Sequence, residues 1–174
     1  MKTIPTAGRC ESLTSEATAQ SVLVEFILRK FDELVDLISQ LDDDAANTTT
    51  QQRGSNSVVQ LLVHCCGMMR RWSASVNLGI AVPRNRDAEF TAHMPVTDVL
   101  GLAARTRAAF LHDAEQTDLA ATPVEVPPGR EDFWTVNCEG VLLHVFEELS
   151  QHLGQAEITR DVVVRSGVTG PQLG

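Results

Sequence analysis

The 174-residue chain is long enough for one domain with a substantial core, and its 43% hydrophobic and 21% charged residues are typical of a soluble globular protein. Its net charge of −9, with only 14 scattered basic residues, disfavours nucleic acid and anionic membrane surfaces as partners. No stretch approaches the roughly 20 apolar residues of a membrane span, and the N-terminus lacks a signal-peptide core, so we expect a cytoplasmic protein.

Four segments carry apolar residues at the three- and four-residue spacing of a helix. The first covers about residues 15–42 and stops at an acidic run, and the second starts at a Ser or Asn cap within 55–57 and runs to about residue 79. The third covers about 96–117. The fourth covers about 135–165, with Gly167 as its C-terminal cap.

Long polar connections separate these segments. The stretch "IAVPRNRDAEFTAHMP" after the second segment is too long for a tight turn and too polar for a buried strand, so we interpret it as a crossover connection. The only short alternating run is "TPVEV". The sequence therefore predicts an all-α fold, a four-helix bundle with long crossover connections, as a single domain over residues 1–174 with its core at about 15–166 and short flexible tails.

The cysteines do not fit a disulfide scaffold, because a chain of this length buries a core without covalent staples and adjacent cysteines rarely pair. We expect all four to be reduced: Cys10, Cys65, Cys66 and Cys138. Cys65 and Cys66 adjoin His64, but neighbouring helical side chains point about 100° apart, so at most one could face a metal site. Apolar packing is the simpler interpretation of both.

Three of the five histidines lie where chemistry is conceivable, whereas His93 and His112 fit solvated or capping roles. On the fourth helix, Glu148 and His152 are separated by about 6 Å of rise and about 40° of rotation, so both can reach one ion. They lie on a stripe that we expect to be buried, and a buried carboxylate requires a cation or a proton.

A third ligand is needed to choose between the pairs His144/Glu148 and Glu148/His152. His144 and His152 are about 12 Å apart along the axis and cannot share one ion. The other histidine within a core helix is His64. Two His and one Glu would leave one position of a tetrahedral zinc open, which is the pattern of catalytic sites, although histidines satisfied by hydrogen bonds in a helical interior are the alternative.

Two motifs resemble the DinB-like superfamily. "SVVQLLVHCCGMMRRW" is similar to its second-helix motif, with a His in mid-helix and a Trp about two turns later, and "LLHVFEELSQHLGQAEITRD" is similar to its fourth-helix motif. The most similar branch is the metal-binding domain of mycothiol-dependent maleylpyruvate isomerases, where the middle ligand is Glu. "VPRNRDAEF" resembles the crossover of that branch.

The resemblance implies a divalent ion, usually Zn²⁺ with Ni²⁺ as another option, held by His64, Glu148 and His152, with His144 outside the ligand set. It also implies a low-molecular-weight thiol as cosubstrate, mycothiol here, with bacillithiol as the thiol of other members of the branch. Arg84, Arg86 and Asp87 in the crossover are candidates for binding the polar groups of the thiol, and a solvated loop is the alternative.

The leading hypothesis is a detoxifying thiol S-transferase, or a thiol-dependent isomerase, that adds the mycothiol sulfur to an electrophilic small molecule. The isomerases of this branch resemble a two-domain arrangement, whereas this chain ends at Gly174, shortly beyond the last motif, which favours the transferase. A metal-dependent hydrolase that activates water and a metal-stabilised bundle that binds without turnover are the alternatives. A homodimer stays open.

Overall fold

The computed structural model describes the backbone of residues 10–168 and the side chains of residues 22–166. Over this range the chain is helical and forms no strand, so the all-α prediction is confirmed and "TPVEV" is irregular. The helices are α1 (Cys10–Ser39), α2 (Asp43–Asn47), α3 (Val58–Arg70), α4 (Arg86–Glu89), α5 (Val96–Gln116) and α6 (Cys138–Val168). A π-helical segment, Arg71–Asn77, continues α3, and a 3-10 turn, Phe133–Thr135, precedes α6.

The predicted helix boundaries agree with the structure to within a few residues, with two differences. Helix α1 begins at Cys10, earlier than predicted, and α6 continues through Gly167 to Val168, so Gly167 does not end the helix. The predicted cap of the second helix is Ser57: its hydroxyl accepts from the Gln60 amide at 3.2 Å, and the Gln60 side chain accepts from the Ser57 amide at 3.0 Å. Residues 1–9 and 169–174 of the predicted flexible tails lie outside the described residues, whereas residues 10–14 and 167–168 belong to α1 and α6.

Helices α1, α3, α5 and α6 form the bundle. Helix α6 packs against α1 and α3, and α5 packs against the same two helices, so the four enclose one core in the spatial order α1, α6, α3, α5. The core consists of residues that the helical pattern placed on the inner faces, among them Ile27, Phe31, Leu34, Leu62, Met69, Phe110, Val145 and Leu149. Burial of these faces, and not helix propensity, supplies most of the stability of such a fold.

Helices α3 and α6 run antiparallel. The side-chain amide of Asn77 donates to the Cys138 carbonyl at one end of the pair. Further along, the ring centres of His64 and His152 lie 4.7 Å apart. Between them lies a contact of Trp72 with His144. Positions on α3 and α6 therefore face each other in reverse order, which brings the middle of α3 against the middle of α6.

Helices α3 and α5, by contrast, run parallel. Cys66 interacts with Thr106, and one to two turns further on Arg70 and Ser73 both bind the buried carboxylate of Asp113. Consecutive helices that run parallel require a connection spanning the length of the bundle. Residues 78–95 provide it, which confirms the predicted crossover, and α4 lies within it.

Two apolar residues of α1 that the helical pattern assigned to the buried face are half exposed, Val22 and Phe26. Phe26 nevertheless contacts Phe146 of α6 edge-on at 6.0 Å. None of the helices within residues 10–168 combines the length and the apolar character needed to cross a bilayer.

Candidate metal centre

His64, Glu148 and His152 converge between α3 and α6. Each offers one potential ligand atom, and the three atoms lie within 4.8 Å of one another. The antiparallel packing of α3 on α6 sets His64 opposite His152, and the four-residue spacing on α6 adds Glu148 to the same side. The three residues singled out in the sequence are thus brought together.

Their donor atoms approach one another without hydrogen bonding. His152 Nε2 lies 3.7 Å from one Glu148 carboxylate oxygen, and His144 Nε2 lies 3.8 Å from the other, both beyond hydrogen-bond length. Two imidazoles and one carboxylate form a donor set that zinc accepts, and tetrahedral ligand atoms about 2.0–2.2 Å from an ion lie about 3.4 Å apart, close to the 3.7 Å between His152 and Glu148. The arrangement fits a divalent cation.

The electrostatics of the trio also suit a cation. Interaction with His152 lowers the pKa of Glu148 below its usual 4.5, burial acts in the opposite direction, and the nearby His144 and His64 lower it further. Burial lowers the pKa of His64 below 6.5, although Glu89 partly counters this. At neutral pH the carboxylate is therefore charged and the His64 imidazole neutral, as metal ligation requires.

A second carboxylate fixes the His64 ring. Glu89, at the end of α4, lies with Oε2 2.9 Å from His64 Nδ1, and both groups are buried. Arg84 donates to the two Glu89 oxygens at 2.6 and 2.8 Å, which balances the buried charge. Because Nδ1 is engaged by Glu89, Nε2 is the nitrogen of His64 left for an ion.

Gly67, one turn beyond His64 on α3, makes room for this carboxylate. A Cβ at Gly67 would overlap Glu89 Oε1 and would lie 3.2 Å from Arg84 Nε. A glycine inside a helix costs about 1 kcal/mol relative to alanine, so its presence needs a packing reason, and the approach of Glu89 is that reason.

Most of the chain matches a family of known proteins. The profile of the mycothiol-S-transferase family matches residues 22–164, a range that includes the converging trio, Glu89 and Gly67. This chain belongs to the mycothiol-S-transferase family. The family lies within the DinB-like superfamily, so the resemblance of the two helix motifs is confirmed.

A solved crystal structure shares this fold. The crystal structure of a conserved protein from Enterococcus faecalis aligns with a TM-score of 0.64 and 15% sequence identity, covering 83% of this chain and 96% of that one. At this identity the similarity concerns the fold alone. No protein with a curated description matches the chain.

The three crossover residues that the sequence predicted to bind the thiol cosubstrate occupy different environments. Arg84 lies against the trio, and its guanidinium is already engaged by Glu89. Arg86 and Asp87 are exposed on α4, and the Arg86 guanidinium lies 5.1 Å from the centre of the Phe90 ring. Phe90 in turn stacks on His64 at 4.6 Å, so the crossover forms a wall over that ring.

His144 belongs to an aromatic cluster beside the trio. Its ring stacks on Trp134 at 3.9 Å and meets the edge of Trp72 at 5.3 Å, and the two tryptophans contact each other at 5.1 Å. One of its nitrogens is 3.4 Å from Glu147. This packing explains a histidine at this position without requiring it to be a ligand.

Where the structure describes their side chains, the cysteines are free and buried: Cys65, Cys66 and Cys138. Burial raises the pKa of Cys66 to about 12 and that of Cys65 well above 9.0. Neither provides a thiolate at neutral pH, which agrees with an apolar packing role. Cys10 lies outside the residues whose side chains are described.

Sequence patterns did not reveal Glu89, Gly67 or Gln155 as parts of the site. Gln155 lies with Oε1 3.3 Å from His152 Nδ1 and so occupies the corresponding nitrogen of the second imidazole. The one available signal was Gly67, a helical glycine between buried neighbours. Glu148 was expected to lie on a buried stripe, but its side chain is 27% exposed, so the centre is open on the α6 side.

Proposed function

We propose that this chain is a divalent-metal-dependent mycothiol S-transferase that joins the thiol of mycothiol to an electrophilic small molecule. In the reaction the thiol loses its S–H proton and a C–S bond forms. With a substitution substrate the leaving group departs with the electron pair of the broken bond. With an addition substrate the proton is returned to the product, so atoms and charge balance in both cases.

The observation that carries the proposal is the convergence of His64, Glu148 and His152 within 4.8 Å in a chain of this family. These residues would hold Zn²⁺ through two imidazole nitrogens and one carboxylate oxygen, and Ni²⁺ is accepted by a similar donor set. Three protein ligands leave at least one coordination position for another molecule.

When bound, such an ion lowers the pKa of a thiol and holds the resulting thiolate in a fixed place. The residues of the chain prepare the centre for this. Glu89 and Gln155 engage the outer nitrogens of His64 and His152 and so orient both rings. Residues that ligate the ion are not free to carry protons, so we assign none of the trio as a general acid or base.

The exposure of the trio indicates the direction of approach. The side chain of His64 is only 5% exposed, whereas those of His152 and Glu148 are 19% and 27% exposed. Phe90 covers His64, and the cluster of Trp72, Trp134 and His144 lies beyond Glu148. Substrates therefore reach the centre along α6. The cluster of Trp72, Trp134 and His144 lies on one side of this path, and Gln155 lies on the other.

The test measures thiol conjugation directly. Zinc-loaded protein is incubated with mycothiol and a fluorogenic bimane electrophile, beside chelator-treated protein and the His152→Ala variant. We expect metal-dependent conjugation with the native chain alone. Rates equal to those of the chelated control would contradict the proposal, and hydrolysis of a model amide without thiol would favour a hydrolase.

A further inference from the structure

A cleft with both polar and apolar lining lies beside His152. It has a volume of about 1320 Å³ and lies between the loop that follows α2 and the C-terminal half of α6. Its lining is rich in hydroxyl and amide side chains, including Thr48, Thr49, Gln52 and Ser55 from the loop and Gln151 and Gln155 from α6. Such groups both donate and accept hydrogen bonds.

None of the three converging residues lines the cleft, but two of their neighbours on α6 do. Gln151 immediately precedes His152, and Gln155 lies 3.3 Å from its imidazole, so two residues of the lining flank a proposed ligand. The opposite end of the lining reaches Val162 and Ser166. Val162 is ten residues beyond His152, which corresponds to about 15 Å along the helix.

The chemistry of the lining favours a neutral polyhydroxylated ligand. Two acidic residues, Asp42 and Asp44, and one basic residue, Arg53, are the charged groups in it, so it offers no concentrated positive charge to a phosphate or a sulfate. Exposed Ile158 and Val162 supply apolar surface beside the hydroxyls and amides. Sugar rings match this combination, because they carry hydroxyl groups at their edges and apolar C–H groups on their faces.

We propose that this cleft binds the sugar–cyclitol part of the thiol cosubstrate, with the cysteinyl arm passing Gln155 to reach the centre at His152. This inference rests on the proposed function, in which mycothiol is the cosubstrate. Mycothiol carries its cysteinyl thiol on an amino sugar that is linked to inositol, and these two rings are the part assigned to the cleft. It assigns recognition of the thiol to the cleft and leaves the aromatic side of the centre to the electrophile.

Gly154 offers a matched pair of variants. It lines the cleft on α6, and a Cβ placed there meets no atom within 4 Å. Gly154→Ala adds only a methyl group and serves as the control, whereas Gly154→Phe fills the space. We expect Gly154→Phe to raise KM for mycothiol by about tenfold or more, since two or more hydrogen bonds are lost. For N-acetylcysteine, which lacks the sugar part, kcat/KM should be unchanged, as should zinc content.

Equal losses with both thiols, or no loss with either, would overturn the inference. Failure of the proposed function is recognised separately, because native protein then conjugates neither thiol. In that case calorimetry with the sulfur-free amino sugar–inositol decides: binding that Gly154→Phe weakens and Gly154→Ala retains supports the cleft assignment, and absence of binding to native protein refutes it.

Discussion

Glu89 engages Nδ1 of His64 at 2.9 Å, although the two residues belong to different helices and are 25 positions apart. The buried carboxylate is balanced by Arg84 from the same crossover. The centre therefore depends on the connection between α3 and α5 as well as on the bundle helices, and changes in that connection should alter metal binding without touching a ligand.

Replacing Glu89 should weaken metal binding. We expect Glu89→Ala to reduce zinc affinity by about 10–100-fold, because His64 loses the group that fixes its tautomer and ring, and Glu89→Gln to reduce it less. Competition with a chromophoric chelator gives the affinity, and the visible spectrum of the Co²⁺ form reports the ligand geometry. The exposed Glu115→Gln is the control. Native affinity in Glu89→Ala would disprove this role.

Gly67→Ala should have the same effect without changing a charge. The new Cβ would overlap Glu89 Oε1 and displace the carboxylate from His64. At Gly101 of α5, a Cβ meets only the flexible end of Arg105 at 3.5 Å, so Gly101→Ala should stabilise the fold by about 0.5–1 kcal/mol through helix propensity. Zinc affinity and thermal unfolding of the two variants test the contrast. Equal behaviour of both would contradict it.

The ligand assignment can be tested by metal content. We expect His64→Ala and His152→Ala to lose bound zinc, whereas His144→Ala should retain it because His144 packs between tryptophans. Elemental analysis of purified protein after gel filtration gives the metal-to-chain ratio. A stoichiometric ion in all three variants would exclude the trio as the ligand set.

Acid should destabilise the metal-free protein below about pH 6.5. The pKa of His64 is lowered in the native state by burial, so unfolding takes up a proton there as the pH falls below the unfolded value of 6.5. The stability that neutral His64 contributes is thus present above pH 6.5 and lost as the pH falls towards its native pKa. Melting temperatures at about pH 7.5 and about pH 5.5 measure it.

The pH effect should shrink in His64→Gln and persist in His93→Gln, since His93 is exposed. The lowered pKa of Glu148 acts in the same direction at more acidic pH: its contribution is present above 4.5 and is lost as the pH falls through its native pKa. An identical acid response in both His variants would exclude His64 as its source.

The buried thiols should resist alkylation. With a pKa of about 12 for Cys66, only about one molecule in ten thousand carries the thiolate near pH 8, and the pKa values of Cys65 and Cys138 are raised by burial as well. In a Cys10→Ser background we expect iodoacetamide to label native protein negligibly and all three cysteines after denaturation. Mass spectrometry counts the labels. Rapid labelling of native protein would contradict the assigned burial.

Helical periodicity was sufficient to predict the bundle, because each long helix buries one continuous apolar stripe. The six residues predicted for the inner face of the second helix are all buried: Val58, Leu62, Cys65, Met69, Trp72 and Val76. The four-residue spacing of Glu148 and His152 likewise predicted their convergence. Local geometry on a regular helix follows directly from sequence spacing.

The remainder of the centre depends on tertiary contacts that no local period encodes. Glu89 lies in a short helix within a polar crossover, where a carboxylate is ordinary until the fold sets it against His64. Phe26, by contrast, satisfies the helical period and is still half exposed beside Phe146 of α6, and the period alone does not encode how wide the buried stripe of a helix is.

The π-helical segment Arg71–Asn77 continues α3 and changes the direction in which the side chains after it point, relative to those before it. In a regular α-helix residues 64 and 77 would point about 140° apart, yet His64 contacts His152 and Asn77 bonds to Cys138, both on α6. The wider turn corrects the phase between the two halves. We therefore expect insertions or deletions at this turn to rotate the part of the helix near Asn77 against α6 while leaving His64 in place. The two ends of the contact between α3 and α6 can then change separately among related proteins.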